Sequence, residues 1–276
     1  MLYKRDLTRL KFSLSAGKST GTGGSFFKAR DEVGNYYKLS YMCGKSIIGF
    51  ESVYEDIANE LLIQRGLPHL NGELVWAKIQ IEDNVFNTYL WKTENYNPNE
   101  YPVITLENYM ESIGIDTSNK VSILKEIANM SQDNRDQLYE MVLFDYLIRN
   151  VDRHGANIEL MCHNGMFKCT PIFDNGSSFF ATCQNNVEQI KTFDYVKNSP
   201  VNNFIGSFYL EDAAKKVLDV YNPEEYAFNL SFLDKYIPCF SSLGIDMTSR
   251  ISEMIQFRQE MLNEMIRDKQ KGQEYI

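Results

Sequence analysis

The sequence lacks the cysteine pattern of a disulfide-stapled or zinc-binding protein. Its 276 residues contain five cysteines, an odd number, and no two of them are spaced as C-x-x-C. A disulfide framework needs paired cysteines and a structural zinc site needs closely spaced ones, so neither is predicted. Free thiols suit a reducing compartment, and we therefore expect a cytoplasmic protein.

Long apolar runs are missing as well. No stretch approaches the roughly 18 apolar residues of a membrane-spanning helix, and residues 1–10 are charged and have no apolar core, so they predict no secretory signal. The three histidines, His69, His154 and His163, are too scattered for a metal cluster. We expect no membrane partner and no histidine-based metal centre.

Basic residues are outnumbered by acidic ones. The 28 Lys and Arg against 37 Asp and Glu give a formal net charge of −9. Because such a surface repels nucleic acid and anionic lipid, direct nucleic-acid binding is not expected. The hydrophobic content of 43% is enough for a sizeable core, in one large domain or in two lobes.

The most informative stretch is residues 150–157, which read N-V-D-R-H-G-A-N. Asp152 is followed five positions later by Asn157, and Asp174 lies further on in the sequence I-F-D-N-G. In phosphoryl transfer from Mg-ATP, such an Asp accepts the hydroxyl proton, and the Asn and the second Asp hold the metal. Each residue alone is also typical of an ordinary turn. Their order and spacing together favour a kinase site.

The local patterns support this geometry. Apolar residues at three- and four-residue spacing predict a helix over residues 132–149, directly before the motif. Residues 158–161 and 166–173 are predicted to be strands, joined at Asn164-Gly165, a pair typical of tight hairpin turns. The hairpin is expected to bring Asn157 beside Asp174.

The pattern N-x-D-R-H-x-x-N, followed by hydrophobic-Asp-x-Gly, resembles the signature of the HipA family, bacterial Ser/Thr protein kinases known chiefly as toxins of toxin–antitoxin pairs. Its Asp-Arg-His-x-x-Asn core is also similar to that of the phosphatidylinositol kinases. The resemblance implies an α+β, bilobal, protein-kinase-like fold with a β-rich N-lobe and a mostly α-helical C-lobe. It also implies the use of ATP and Mg²⁺, a protein substrate with a Ser or Thr acceptor, and a bracing role for His154 in the loop.

The subdomain that precedes the Gly-rich loop in full-length HipA toxins is not matched, so a short HipA-like kinase is expected. An antitoxin protein as partner is therefore an open question. A lipid or small-molecule kinase of the same fold, and an inactive kinase-like binding module, are the alternative functions.

The first part of the chain is predicted to be strand, Gly-rich turn, strand, turn and strand, at residues 10–14, 26–29 and 36–41. Small residues in the turn would let backbone N–H groups approach ATP phosphates; they include Ser19, Thr20, Gly21, Thr22 and Gly23. A flexible hairpin is the alternative interpretation. HipA-like kinases phosphorylate a serine of this loop, so the resemblance points to Ser19 or Ser25 as a self-phosphorylation site.

Lys38 in the third strand is expected to contact the α- and β-phosphates, as the strand-three lysine of kinases does; an outward-facing lysine is the alternative. A helix is predicted over residues 51–65, ended by Gly66. Alignment with the HipA-like pattern makes Glu55 the ion-pair partner of Lys38. Glu51, one helical turn away, is left open.

Strands are predicted at residues 74–81 and 85–92, and the adenine-binding hinge at Leu90, Trp91 and Lys92. The Pro- and Asn-rich residues 95–102 predict a linker, which divides the chain into an N-lobe of residues 1–95 and a C-lobe of residues 96–276. The C-lobe is expected to contain further helices, over residues 106–113, 118–130, 211–221, 223–236 and 247–271, and long loops within residues 177–209.

Overall fold

The computed structural model describes residues 4–14 and 26–273. Strands dominate its first part and helices its second. The strands are β1 (Arg5–Asp6), β2 (Lys28–Arg30), β3 (Tyr36–Leu39), β4 (Met42–Cys43), β5 (Ser46–Ile47), β6 (Gly72–Ile81), β7 (Asn84–Thr93), β8 (Val103–Thr105), β9 (Glu159–His163) and β10 (Met166–Cys169). The helices are α1 (Glu51–Arg65), α2 (Leu106–Ser112), α3 (Lys120–Ile127), α4 (Gln132–Ile148), α5 (Val187–Lys191), α6 (Leu210–Leu218) and α7 (Met247–Gln273).

The larger sheet has the strand order β1-β6-β7-β3-β2. The hairpin of β6 and β7 is its longest pairing, and β3 adds to β7 with Lys38 opposite Trp91. On the other side of β3, Lys38 lies opposite Lys28. The predicted strand over residues 10–14 is reduced to one bridge between Ser13 and Lys28. The predicted Gly-rich loop, from Ser19 to Ser25, lies outside the described residues.

Helix α1 matches the prediction at both ends. Its apolar positions at three- and four-residue spacing are buried, as expected for an amphipathic helix. It ends at Gly66, whose φ of 73° is the left-handed conformation that glycine adopts without strain. The Gly66 N–H donates to the carbonyls of Ile63 and Leu62, which the helix itself leaves without donors.

Helix α4 and the hairpin after it also agree with the sequence, except that β10 ends at Cys169 and not at the predicted residue 173. Arg149 ends α4 in the left-handed conformation, with φ of 55°. Strands β9 and β10 pair in antiparallel fashion around Asn164 and Gly165, which both have positive φ values. Such a turn matches the right-handed twist of its strands.

The prediction of a helix over residues 223–236 is wrong. Residues 221–229 have no helix, and a run of 3₁₀ turns covers Leu230–Leu243 instead. The side-chain amide of Asn263 accepts a hydrogen bond from the N–H of Tyr226 and donates one to its carbonyl, at 2.8 Å each. The N–H of Phe228 donates to the side chain of Gln259 at 3.1 Å. Because α7 side chains satisfy these backbone groups, the segment needs no helix of its own.

Two buried apolar clusters hold the described chain together. The smaller one lies in the five-stranded sheet and includes Tyr37, Leu39 and Leu90. The larger one joins α1 to the helices of the second part of the chain. Residues 94–102 between β7 and β8 form neither helix nor strand, and a domain boundary at residue 95 stays a prediction. No helix within the described ranges has the length and apolar composition needed to cross a bilayer.

Candidate active site

Lys38 lies between two carboxylates that come from different parts of the fold. Its Nζ is 2.6 Å from Oε1 of Glu55 on α1, and it also forms an ion pair with Asp174. The second oxygen of Glu55 accepts a hydrogen bond from the N–H of Asn175 at 2.9 Å. The strand, the helix and the loop that follows β10 therefore meet at one point.

The charges in this cluster stabilise one another. Burial alone would lower the pKa of Lys38, but the attraction of Asp174 and Glu55 raises it. Burial alone would raise the pKa of Asp174, but Lys38, and then Lys28, lower it. The lysine is consequently held as a cation and Asp174 as an anion.

Of the two glutamates left open by the sequence, Glu55 is the one that contacts Lys38. Glu51 instead accepts hydrogen bonds from the N–H of Tyr41, at 2.8 Å, and from the side chain of Gln184. Gly176 lies close to it, because a Cβ at this position would be only 3.1 Å from the Glu51 carbonyl oxygen. Glu51 thus anchors the start of α1 to the later part of the chain.

The loop after α4, residues 149–157, contains Asp152 and Asn157 and is called the Asp152 loop below. The Nδ2 of Asn157 donates to the backbone carbonyl of Asp152 at 2.9 Å, which closes the loop on itself. The Oδ1 of Asp152 accepts from Nδ2 of Asn202 at 2.8 Å. The carbonyl of His154 accepts the Asn157 N–H at 2.9 Å, while its imidazole makes no hydrogen bond to the described residues.

The side chain that braces the loop is Arg153, which the sequence reasoning overlooked in favour of His154. It is 1% exposed and binds both oxygens of Asp145, at 2.9 and 3.0 Å. It also donates to the carbonyl of Phe173 and to Asn175, on either side of Asp174. Burial would lower the pKa of Arg153, but Asp145 raises it.

A signal for this brace exists in the sequence. Asp145 lies among the apolar positions of α4, and a carboxylate on a buried helix face needs a cationic partner. Arg153 is a nearby cation in the chain and is the Arg of the N-x-D-R-H-x-x-N motif itself. Asp174 itself has a φ of 59°, a conformation that costs energy in a non-glycine residue and that its contacts must stabilise.

A cavity of about 360 Å³ opens over the cluster. Five predicted site residues line it, namely Lys38, Glu55, Trp91, Asn157 and Asp174. The remaining lining residues are Lys28, Arg30, Tyr36, Tyr37, Leu70, Thr93, Asn95, Tyr96, Asn97, Glu100, Tyr101, Val103, Glu159 and Phe173. The lining combines aromatic rings with charged groups, which suits a flat base joined to a polyanion.

The predicted hinge needs a correction. Leu90, Trp91 and Lys92 lie inside β7, where they pair with β3 on one side and β6 on the other. Because the sheet uses their backbone groups, these groups are not available to a base. Leu90 is in the sheet core and Lys92 forms an ion pair with Glu73. The segment that follows, residues 94–102, contributes to the cavity instead.

The oxygen donors of the cavity suit Mg²⁺. No group of three or more His, Cys, Asp or Glu side chains that could hold a metal occurs within residues 4–14 and 26–273. However, Mg²⁺ in kinases takes only one or two protein oxygens and completes its shell with phosphates and water. Asp174 supplies a charged oxygen, and the amide oxygen of Asn157 has no hydrogen-bond donor among the described residues.

Comparison with solved structures shows a kinase fold. The proinflammatory kinase CtkA of Helicobacter pylori matches with a TM-score of 0.50 and 16% identity, over 98% of this chain and 95% of that chain. The kinase-like fold predicted from the HipA resemblance is thereby confirmed, with the β-sheet in the first part and helices in the second.

Two further structures match less closely. HipA of a Shewanella oneidensis toxin–antitoxin system, solved with HipB and operator DNA, has a TM-score of 0.44 and 13% identity, and the match covers 93% of this chain and 60% of that one. The Rio2 kinase of Chaetomium thermophilum, solved with ADP and Mg²⁺, has a TM-score of 0.34 and 11% identity over 91% and 71%. No protein-family model and no curated protein matches the sequence.

Proposed function

We propose that the protein is an ATP-dependent kinase that transfers the γ-phosphoryl group to Ser or Thr hydroxyls of a protein. The observation that carries the proposal is the cluster of Lys38, Glu55 and Asp174 in a cavity that Asn157 also lines. These four groups, with Asp152 on the adjoining loop, correspond to the parts that kinases use.

Nucleotide binding is assigned to the cavity. Lys38 contacts the α- and β-phosphates, and Glu55 holds Lys38 in place through the 2.6 Å ion pair. The base lies against the aromatic side chains of the cavity, which include Trp91, Tyr96 and Phe173. The predicted phosphate contacts of Ser19, Thr20, Gly21, Thr22 and Gly23 belong to the same proposal and fall outside the described residues.

Asn157 and Asp174 hold Mg²⁺, which neutralises phosphate charge when it is bound. Asp152 orients the acceptor hydroxyl and takes its proton. The acceptor oxygen then forms a bond to the γ-phosphorus, the bond to the β–γ bridging oxygen breaks, and ADP leaves. Positioning and charge stabilisation supply most of the rate enhancement in such a site.

Regulation and partners follow from the sequence resemblance alone. Phosphorylation of Ser19 or Ser25 in the Gly-rich loop is proposed to switch the enzyme off, since a phosphate adds about −1.5 to −2 charge near the ATP phosphates. A toxin role with an antitoxin partner is the corresponding biological proposal. Purification of the tagged chain from its native cells and identification of bound proteins would test it.

The acceptor class is tested with γ-labelled ATP and Mg²⁺. One reaction contains dephosphorylated casein and a second contains phosphatidylinositol vesicles. We expect label on Ser or Thr of the protein and none in the lipid. Label in the lipid alone would make the protein a lipid kinase, and absence of transfer in both reactions, with self-phosphorylation also absent, would leave a kinase-like binding module.

A further inference from the structure

The side chain of Asp152, the proposed proton acceptor, is hydrogen-bonded by a residue from a distant part of the chain. Asp152 lies in an irregular loop, where a short side chain can rotate between several conformations. Among the described residues, Asn202 is the one side chain that hydrogen-bonds its carboxylate, at 2.8 Å from Oδ1. Because a carboxylate only accepts, the amide nitrogen of Asn202 must be the atom that donates.

Asn202 is itself held in place by its backbone. Its N–H donates to the carbonyl of Val151 at 3.0 Å, and the N–H of Phe204 donates to the carbonyl of Arg153 at 2.9 Å. The segment 201–204, called the Asn202 segment, therefore runs beside the Asp152 loop on both sides of Asp152. The amide is presented from a fixed backbone and not from a free loop tip.

A buried neighbour stabilises the Asn202 segment further. Asn203 is 2% exposed and donates from Nδ2 to the carbonyls of Ile205 and Ser207, at 2.9 Å each. These bonds fix the turn around Gly206, whose φ is 79°. Asn202 also lines an open groove of about 930 Å³ together with Val151, so it lies where the Asp152 loop meets this groove.

We propose that Asn202 is a positioning residue for phosphoryl transfer. Its amide binds Oδ1 of Asp152 and so directs the other carboxylate oxygen to the acceptor hydroxyl. The inference rests on the proposed function of Asp152. It predicts an effect on turnover and not on nucleotide binding, because Asn202 does not line the cavity assigned to ATP.

The test compares Asn202→Ala, Asn202→Asp and Asn202→Gln with Asn198→Ala. Asn198 is an exposed amide four positions earlier that makes no hydrogen bond from its side chain to the described residues. Transfer from labelled ATP to dephosphorylated casein gives kcat and KM for ATP, calorimetry gives the ATP affinity, and thermal melting monitors folding.

We expect Asn202→Ala to lower kcat about 10- to 100-fold, the cost of a small misplacement of a reacting group, with KM and affinity for ATP unchanged within about twofold. Asn202→Asp should be at least as impaired, since it places a like charge beside Asp152. Asn202→Gln, which keeps the donor, should recover part of the activity, and Asn198→Ala should resemble the wild type.

Wild-type kcat in Asn202→Ala would overturn the inference, as would equal losses in Asn202→Ala and Asn202→Gln. A parallel loss of ATP affinity or of thermal stability would assign Asn202 a structural role and overturn it too. If Asp152→Asn is inactive while Asn202→Ala is fully active, only this inference fails. A wild-type enzyme without any transfer contradicts the proposed function, and this inference with it.

Discussion

Lys38 and Asp174 form an ion pair, and each also has a proposed role in binding Mg-ATP, Lys38 with the phosphates and Asp174 with the metal. Their ion pair and that of Lys38 with Glu55 keep three charges in a partly buried site. Binding of Mg-ATP would replace the contact between Lys38 and Asp174 with phosphate and metal contacts, while Glu55 keeps hold of the lysine. The mutual attraction raises the pKa of Lys38 and lowers the pKa of Asp174, which favours the charged forms that these roles need.

Substitution of Asp174 tests its proposed role as a ligand of Mg²⁺. We expect Asp174→Ala to weaken ATP binding about 10- to 100-fold in the presence of Mg²⁺, because the cation loses its charged protein ligand. Without Mg²⁺ no loss is expected, since the substitution removes a negative charge near the phosphates. Calorimetry with and without Mg²⁺ measures both values, and Asp83→Ala, in the exposed turn between β6 and β7, is the control. An unchanged Mg²⁺-dependent affinity would move the metal site elsewhere.

We expect Arg153 to contribute to the folding stability of the protein as well as to the structure of the Asp152 loop. Arg153→Met leaves the buried carboxylate of Asp145 without its cation, and breaking such a pair costs about 3–5 kcal/mol of unfolding free energy. Urea denaturation measures the loss. The double variant Asp145→Leu with Arg153→Met should recover part of it, because no buried charge is then left alone. A loss below about 1 kcal/mol in Arg153→Met would show that the pair is not needed for folding.

At the scale of elements, α1 connects the sheet to the rest of the chain. Its apolar side belongs to the larger core, while Glu55 reaches back to Lys38 and Glu51 reaches forward to Gln184. The sequence predicted α1, α4 and the β9–β10 hairpin within a few residues, because each has a clear period and a recognisable end signal. Local patterns of this kind are visible in one sequence.

What the sequence could not predict depends on contacts between distant elements. Residues 223–236 have helical periodicity, but Asn263 on α7 binds the backbone of Tyr226 and replaces the helix. The hinge prediction failed because β3 and β6 pair with both sides of β7 at Leu90, Trp91 and Lys92, and the pairing with β3 joins segments far apart in the chain. Asn202 was missed for the same reason, since it lies 50 residues from Asp152 in the chain. Arg153 is different, because its partner Asp145 is eight residues away and the pair could have been predicted.

A further prediction concerns self-phosphorylation of the Gly-rich loop. We expect slow self-phosphorylation within residues 19–25 after incubation with Mg-ATP, and a lower ATP affinity of the modified enzyme, because the added phosphate repels the phosphates of ATP. Mass spectrometry locates the site, and Ser19→Ala combined with Ser25→Ala should abolish the modification. An unmodified loop in an enzyme that phosphorylates casein would refute this form of regulation and leave the kinase assignment intact.

At the scale of the whole molecule, the chain is acidic, with a net charge of −9, while the cavity combines charges of both signs. Its cationic side chains are Lys28, Arg30 and Lys38, and its acidic ones are Glu55, Glu100, Glu159 and Asp174. The cationic groups suit phosphate oxygens, and a carboxylate such as that of Asp174 suits a bound cation. This mixture favours an anion that binds together with a metal ion over a bare polyanion such as nucleic acid.

The central claim is that Asp152 serves the transfer step and not the binding of ATP. Asp152→Asn keeps the side-chain shape and an oxygen that can accept from Asn202, but it removes the group that takes the proton. The decisive measurement is transfer from γ-labelled ATP to casein, with ATP affinity determined on the same preparations. The account predicts that transfer is abolished while the affinity stays within about twofold of the wild type. Transfer retained within about threefold of the wild type would contradict it.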